Sequence, residues 1–155
     1  MEIRKAAPAE IPQILKLLVQ VNMVHHNGRP DLFKGPATKY SEAELKRLLQ
    51  DETRPIFVCM NGDTLLGYAF CILKEVKDDR LLEDCKTLYV DDLCVDETSR
   101  GNGVGKALMT HAVQYAKDCG CRNVTLNVWS FNEKAMRFYQ SFGMHEQRRT
   151  MELLL

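Results

Sequence analysis

A glycine-rich stretch in the second half of the chain has the residue types of an anion-binding site. It reads Arg100-Gly101-Asn102-Gly103-Val104-Gly105-Lys106 and lies between an apolar, strand-like segment and an apolar, helix-like segment. A glycine-rich turn that opens a helix leaves several backbone N–H groups unpaired, and the positive end of the helix dipole lies beside them. Such sites usually bind phosphate. We therefore expect a phosphorylated cofactor here.

Two common phosphate motifs can be tested against this stretch by their spacing. A Walker A loop ends in Gly-Lys-Ser/Thr, but here Gly105-Lys106 is followed by Ala107. A dinucleotide fingerprint, G-x-G-x-x-G, would use Gly101 and Gly103 and would then need glycine in place of Lys106. The spacing therefore excludes both motifs.

The pattern Arg-Gly-x-Gly-Val-Gly instead resembles the pyrophosphate loop of the GCN5-related N-acetyltransferases (GNAT), where it holds coenzyme A. Three further segments carry the same resemblance: the strand Val90–Val95, Asn132 at a helix start, and Ala135–Tyr139 followed by Phe142-Gly143. The family reads N-x-x-A-x-x-F/Y-Y-x-x-x-G-F in that last region. Met144 replaces its final phenylalanine here. Within this family, the chain also resembles the polyamine (diamine) acetyltransferases, because they carry an acidic residue at the position of Asp91.

This resemblance implies acetyl-CoA as cosubstrate. The spacing of the cysteines separately predicts no metal. A bulge in the family separates the strand from its neighbour, so that its backbone pairs with the pantetheine arm. The residues implied to bind the cofactor are Leu93, Cys94, Val95, Arg100, Gly101, Asn102, Gly103, Val104, Gly105, Lys106, Asn132 and Tyr139. An ordinary buried strand, a plain helix cap at Asn132 and core packing of Tyr139 are the structural alternatives.

Acetyl transfer from a thioester to an amine needs an acid for the leaving thiolate and an acceptor for the amine proton. Tyr139 is the expected general acid, because a phenol with a pKa near 10 suits a thiolate in the 8–9 range. Asp91 is the expected catalytic carboxylate, which orients a cationic amine or deprotonates it through water. A solvated carboxylate at the strand edge is the alternative for Asp91.

The acceptor side is predicted from Asp91, Asp92 and His26. Because adjacent strand residues point to opposite faces, we expect only one of the two carboxylates to face the acetyl group. His25-His26 closes the first predicted helix, where family members form the acceptor pocket. A histidine there is either a base tuned near neutral pH or a partner of the helix dipole.

The elements that position these residues follow from hydrophobic periodicity and from Gly, Pro and capping residues. The order predicts an α+β fold, and the resemblance implies one N-acetyltransferase domain over 1–155. The resemblance implies a mixed, mostly antiparallel central sheet of six or seven strands flanked by about four helices. The expected extents are strand Glu2–Lys5, helix Pro8–Met23, helix Ser41–Asp51, strand Ile56–Met60, strand Leu65–Val76, a strand ending at Val95, a helix from the glycine loop to Gly120, strand Asn123–Val128, helix Asn132–Gly143, and a last strand with Met151 and Leu153.

Composition narrows the function classes. Lys plus Arg equals Asp plus Glu at 21 each, which argues against the broad basic face of a nucleic-acid partner. The chain has no stretch of the ~20 apolar residues that a membrane span needs, and it opens without a basic-then-apolar leader. We therefore expect no membrane partner and a cytoplasmic protein. Its six cysteines have no zinc spacing, so we expect reduced thiols.

The identity of the acceptor is open. Eight carboxylates lie on or beside the third and fourth strands: Asp78, Asp79, Glu83, Asp84, Asp91, Asp92, Asp96 and Glu97. Their negative charge favours a small cationic amine as the acceptor. A polyamine, an amino acid or an aminoglycoside fits that pattern, attacked directly in a ternary complex. The alternatives are a protein N-terminal or lysine acetyltransferase and a non-catalytic acyl-CoA-binding module. The apolar C-terminal residues, Met151–Leu155, favour a homodimer, or else complete the chain's own core.

Overall fold

The computed structural model describes every residue from 1 to 155 and contains five strands and four α-helices. In chain order they are β1 (Glu2–Lys5), α1 (Ile11–Gly28), α2 (Glu42–Leu48), β2 (Ile56–Asn61), β3 (Thr64–Val76), β4 (Cys85–Val95), α3 (Val104–Asp118), β5 (Asn123–Leu126) and α4 (Glu133–Ser141). None of the helices combines the length and the hydropathy needed to cross a membrane.

Local sequence explains where several elements begin. Pro8 opens a short 3-10 turn that leads into α1. Ser41 and Glu44 form a capping box at α2, in which each side chain accepts a hydrogen bond from the other residue's backbone N–H. Gly62 takes a φ of +56° in the tight turn between β2 and β3. These starting points agree with the expectations from the sequence. Two ends differ, because α1 continues to Gly28 instead of ending at Met23, and β5 ends at Leu126 instead of Val128.

The strands form one sheet in chain order, β1-β2-β3-β4-β5. β1 to β4 pair antiparallel, whereas β4 and β5 pair parallel. The α+β class, the mixed sheet and the four helices are confirmed. The expected count of six or seven strands is wrong, because the sheet has five.

The missing strand is the predicted C-terminal one. Residues 144–155 form no helix or strand, and Met151 and Leu153 expose 86% and 84% of their surface. The segment is held through a side chain instead, because the guanidinium of Arg29 donates to the carboxylate of Glu152 at 2.9 and 3.1 Å. Alternating apolar residues predicted a strand here, but no backbone neighbour pairs with it.

Two hydrophobic cores lie on opposite faces of the sheet. The α1-side core packs residues of α1 and α2 against one face, where Tyr68 and Phe70 are its largest aromatic side chains. The α3-side core packs α3 and α4 against the other face and includes Leu108, Met109 and Tyr139. Burial at these positions supplies the main stabilising term, at about 25 cal/mol per Å² of apolar surface.

Candidate active site

The parallel strands β4 and β5 separate halfway along the sheet. They pair from Thr87↔Asn123 to Val90↔Leu126, and there β5 ends while β4 continues to Val95. On that side the backbone of residues 91–95 has no neighbouring strand. Unpaired backbone donors and acceptors in a cleft need partners, so this opening suits an extended ligand that carries amide groups.

The glycine loop follows directly after the open part of β4. Gly101 and Gly103 have φ angles of +82° and +77°, a conformation that residues with a side chain rarely adopt. Gly103 is the N-cap of α3 and offers no side-chain cap, so the first N–H groups of the helix remain free for an anion. A Cβ at either glycine would meet nothing within 4 Å. The donor set and the open space above it fit a pyrophosphate group.

The other residues predicted to bind the cofactor differ in exposure and in the direction of their side chains. Lys106 and Asn102 are exposed. Arg100 turns back along β4, where its Nε donates to the carbonyl of Val95 at 3.3 Å. The side chain of Val104 is buried. Cys94 lies in the α1-side core, with its Sγ 3.6 Å from the carbonyl of Leu17, so only its backbone faces the opening.

A β-bulge sets the directions of Asp91 and Asp92. The register between β3 and β4 shifts there and leaves Asp91 without a partner on β3. Asp91 accepts from Tyr40 and Asp92 accepts from Tyr68, and both tyrosines pack on the α1-side core. The two carboxylates therefore lie on the same face of the sheet. The expectation of opposite faces is wrong, because strict alternation fails at a bulge.

Asp91 is held by residues that the sequence analysis did not single out. Its Oδ2 lies 2.6 Å from the Nζ of Lys39 and 3.3 Å from the hydroxyl of Tyr40. The ring of Tyr40 stacks on Phe70 with 5.6 Å between centroids, and Arg54 donates to its hydroxyl at 3.1 Å. Asp91 exposes 14% of its side chain and Lys39 exposes 48%. A loop residue thus neutralises this carboxylate.

Asp92 is held by a different tyrosine. The hydroxyl of Tyr68 donates to its Oδ2 at 2.9 Å. Burial raises the pKa of Asp92 to about 6, against the opposing effects of that hydrogen bond and of the Lys39 charge. Such a carboxylate is half-protonated at about pH 6, so it is mostly ionised at neutral pH and can take up a proton there.

Tyr139 lies on α4 in the α3-side core, together with Leu93 and Val95 of the open strand. Burial and the negative charge of Asp92 raise the pKa of its phenol to about 12. It is therefore protonated throughout the physiological range, and less acidic than the sequence analysis assumed. Asn132 caps α4, because its side-chain oxygen accepts from the N–H of Ala135 at 3.2 Å.

Histidines and aromatic residues border the cleft at the end of α1. Nδ1 of His26 lies 2.7 Å from the carbonyl of Phe33, so this nitrogen is engaged with the loop that follows α1. His25 packs on Phe33, which meets Trp129 edge-on at 5.2 Å. Burial and the charge of Lys39 lower the pKa of His25. No pattern in the sequence pointed to Trp129, which brings the loop after β5 to this border.

The other acidic residues do not form one rim. Asp78, Asp79, Glu83 and Asp84 lie in the turn at the start of β4, about 20 Å from Asp91 along the strand. The Asp79 carboxylate accepts from the N–H groups of Leu81 and Leu82. Asp96 similarly accepts from Thr98. The predicted acidic rim is thus reduced to Asp91 and Asp92. No group of three or more His, Cys, Asp or Glu side chains is positioned to hold a metal.

Comparison with known proteins gives one family. The sequence model of the acetyltransferase (GNAT) family matches residues 22–144. The uncharacterized N-acetyltransferase MJ1207 of Methanocaldococcus jannaschii is 29% identical over 109 residues, which are 70% of this chain and 47% of that protein. The spermine/spermidine N(1)-acetyltransferase of Bacillus subtilis is 30% identical over 93 residues, 58% of each chain.

A solved structure agrees over the whole length. A tetramutant of the BH1408 protein from Bacillus halodurans superimposes with a TM-score of 0.95 at 32% identity, and the match covers 100% of both chains. By contrast, this chain spans about half the length of the two curated relatives, at 47% and 58%. The similarity to the solved structure therefore covers more of this chain than the similarity to either curated relative does.

Proposed function

This chain belongs to the acetyltransferase (GNAT) family, and we propose that it moves an acetyl group from acetyl-CoA to a primary amine of a small molecule. The amine attacks directly in a ternary complex of the protein, acetyl-CoA and the acceptor. The acceptor is a polyamine, an amino acid or an aminoglycoside. The likeness to a spermine/spermidine acetyltransferase supports a small amine.

The observation that carries this proposal is the separation of β4 from β5 directly before the glycine loop. A cleft with unpaired backbone leads to a helix start that is free of a side-chain cap, which is the arrangement needed for an amide-bearing arm that ends in a pyrophosphate. Leu93, Val95 and the loop residues Gly101–Lys106 would hold the cofactor. Acetyl-CoA, when bound, supplies the thioester carbon that the amine attacks and the thiolate that leaves.

The binding, base and acid roles fall to three side chains, Asp91, Asp92 and Tyr139. Asp91 holds and orients the acceptor's ammonium, and Asp92 takes up the proton that the amine loses. Because negative charge on Asp92 contributes to the high pKa of Tyr139, protonation of Asp92 makes the phenol a stronger acid. Tyr139 then donates its proton to the leaving thiolate. The two proton transfers therefore assist each other.

We also propose a homodimer. Met151, Leu153 and Leu154 expose 86%, 84% and 75% of their surface at the end of the chain. Contiguous exposed apolar residues of this kind favour association. A second copy of the chain is the partner that the proposal names, and β5 offers an edge that is unpaired within the sheet.

Thiol release from acetyl-CoA tests the function, measured against polyamines, amino acids, aminoglycosides and short peptides. Tyr139→Phe should lower kcat by about 100-fold with the best amine, the lower end of typical acid–base contributions. Tyr115→Phe is the matched control, since Tyr115 is also a phenol with a pKa raised to about 12 but packs on Phe57. Faster acetylation of peptides than of any small amine would contradict the proposed acceptor class. Binding of coenzyme A without acetyl transfer to any acceptor would contradict the proposal that the protein is an enzyme.

A further inference from the structure

The position on Asp91 that an acceptor ammonium would take is already occupied by an ammonium of the chain itself. Nζ of Lys39 lies 2.6 Å from Oδ2 of Asp91. Lys39 belongs to the loop between α1 and α2, and the pairing joins residues 52 positions apart. Tyr40 donates to the same oxygen, so a second ammonium can reach Oδ2 only if Lys39 leaves it, and at Oδ1 it would lie close to the like charge of Lys39.

The residues around Lys39 allow that exchange. Tyr40 is fixed, because its ring stacks on Phe70 and its hydroxyl accepts from Arg54. Lys39 exposes 48% of its side chain and ends a flexible four-carbon stem. The side chain of Lys39 can therefore rotate while the loop backbone beside it stays in place.

The displaced ammonium then needs a new anionic partner. Asp92 is engaged by Tyr68, and the nearby His25 carries no negative charge in either of its protonation states. Asp31 and Glu152 are already paired with Arg29, at the start of the same loop. An acceptor that carries only amines would leave Lys39 unpaired and add a like charge beside it. An acceptor that also carries a carboxylate would supply the missing partner.

We propose that Lys39 is an ionic latch on Asp91 that selects acceptors bearing both an amine and a carboxylate, as in amino acids with a side-chain amine. The amine of the acceptor replaces Lys39 on Asp91, and the carboxylate of the acceptor pairs with the displaced Lys39. This inference rests on the proposed function and narrows its acceptor class. It ranks simple diamines and polyamines below amino acids of equal length.

Lysine and cadaverine test the latch, because they share the same two amines and differ only in the carboxylate. In the wild type, kcat/KM for lysine should exceed that for cadaverine by about tenfold, the value of one modest charge-assisted contact. In Lys39→Met the ratio should approach one, with cadaverine gaining and lysine losing, mainly through KM. Lys39→Arg should keep part of the preference, since the positive charge remains.

Lys46→Met is the matched control. Lys46 pairs with Glu42 at 2.7 Å on the exposed surface of α2, so its loss should leave the lysine-to-cadaverine ratio at the wild-type value. A merely structural role for Lys39 would lower kcat/KM for both amines equally and leave the ratio unchanged, which would overturn the latch. A wild type that prefers cadaverine would overturn it too. No thiol release with any amine of the larger panel would instead contradict the proposed function itself.

Discussion

Asp91 and Asp92 are neighbours on β4, yet both carboxylates lie on the face of the sheet that packs on α1. Each accepts a hydrogen bond from a tyrosine of that face, Tyr40 for Asp91 and Tyr68 for Asp92. The charge of Lys39 also reaches both, since it pairs with Asp91 and opposes the rise in the pKa of Asp92. The bulge therefore places two carboxylates side by side at the open end of the strand, and burial raises the pKa of one of them, Asp92.

Asp91→Asn should weaken the binding of a cationic acceptor. The substitution keeps the size of the side chain and removes the charge that faces the ammonium, so KM for the best amine should rise about tenfold while kcat changes less. Steady-state kinetics at saturating acetyl-CoA measure both constants.

Asp78→Asn is the control for that experiment. Asp78 lies in the acidic turn before β4 and has a φ of +53°, which asparagine tolerates well. We expect unchanged constants for this variant. Equal effects from the two substitutions would mean that general negative charge, rather than Asp91, attracts the amine.

Much of the fold was predictable because local signals specify it. Glycines with positive φ stand at the turn after β2, in the loop before α3 and at the end of α3, and these are the places where the sequence analysis ended or began elements. The cleft was expected only through a family resemblance, since Val90, Leu93 and Val95 read equally well as an ordinary buried strand.

The rest depends on contacts that no local pattern encodes. A bulge leaves no mark on the alternation around Asp91, so the shared face of the two acids was not predicted. The pairing of Lys39 with Asp91 spans 52 positions and begins in a loop without periodicity. The apolar alternation near Met151 predicted a strand, but strand formation also needs a neighbour, which the sequence of one segment does not supply.

Asp92→Asn should change how stability depends on pH. The native pKa of Asp92 is about 6, above its ordinary value near 4, so the native state binds a proton more tightly than the unfolded state does. Stability from this group is present at low pH and is lost as pH rises from about 4 to about 6. The variant lacks that loss, so its free energy of unfolding relative to wild type should increase across the same interval.

Urea unfolding at pH 4, 5, 6 and 7 measures this difference. Asp79→Asn provides a control of opposite sign, because hydrogen bonds from the N–H groups of Leu81 and Leu82 lower the pKa of Asp79. Asp79 stabilises the fold above its ordinary pKa, and that contribution is lost as pH falls through its lower native pKa. Because both pKa values of Asp79 lie below pH 4, this variant should be less stable than wild type by a nearly constant amount across the series. A flat difference for Asp92→Asn would show that its charge is not buried.

Leu153→Lys should disrupt the proposed homodimer. A charge placed among exposed apolar residues at the end of the chain costs desolvation if that surface is covered by a second copy. Light scattering at micromolar concentration should give a dimer mass for the wild type and a smaller mass for the variant. Leu81→Lys is the matched control, since Leu81 exposes 90% of its surface in the turn before β4. A monomer mass for the wild type would refute the dimer.

Gly103→Ala and Gly120→Ala separate cofactor binding from backbone strain. Gly103 precedes α3 and Gly120 follows it, with φ angles of +77° and +71°, and a Cβ at either site meets nothing within 4 Å. Each substitution should therefore lower the free energy of unfolding by a similar amount, about 1 kcal/mol. Only Gly103 lies where backbone N–H groups would face a pyrophosphate, and relief of strain there rotates those groups. Calorimetric titration with coenzyme A should show about tenfold weaker binding for Gly103→Ala and wild-type affinity for Gly120→Ala. Equal affinities in the two variants would place the phosphate contacts elsewhere than at the start of α3.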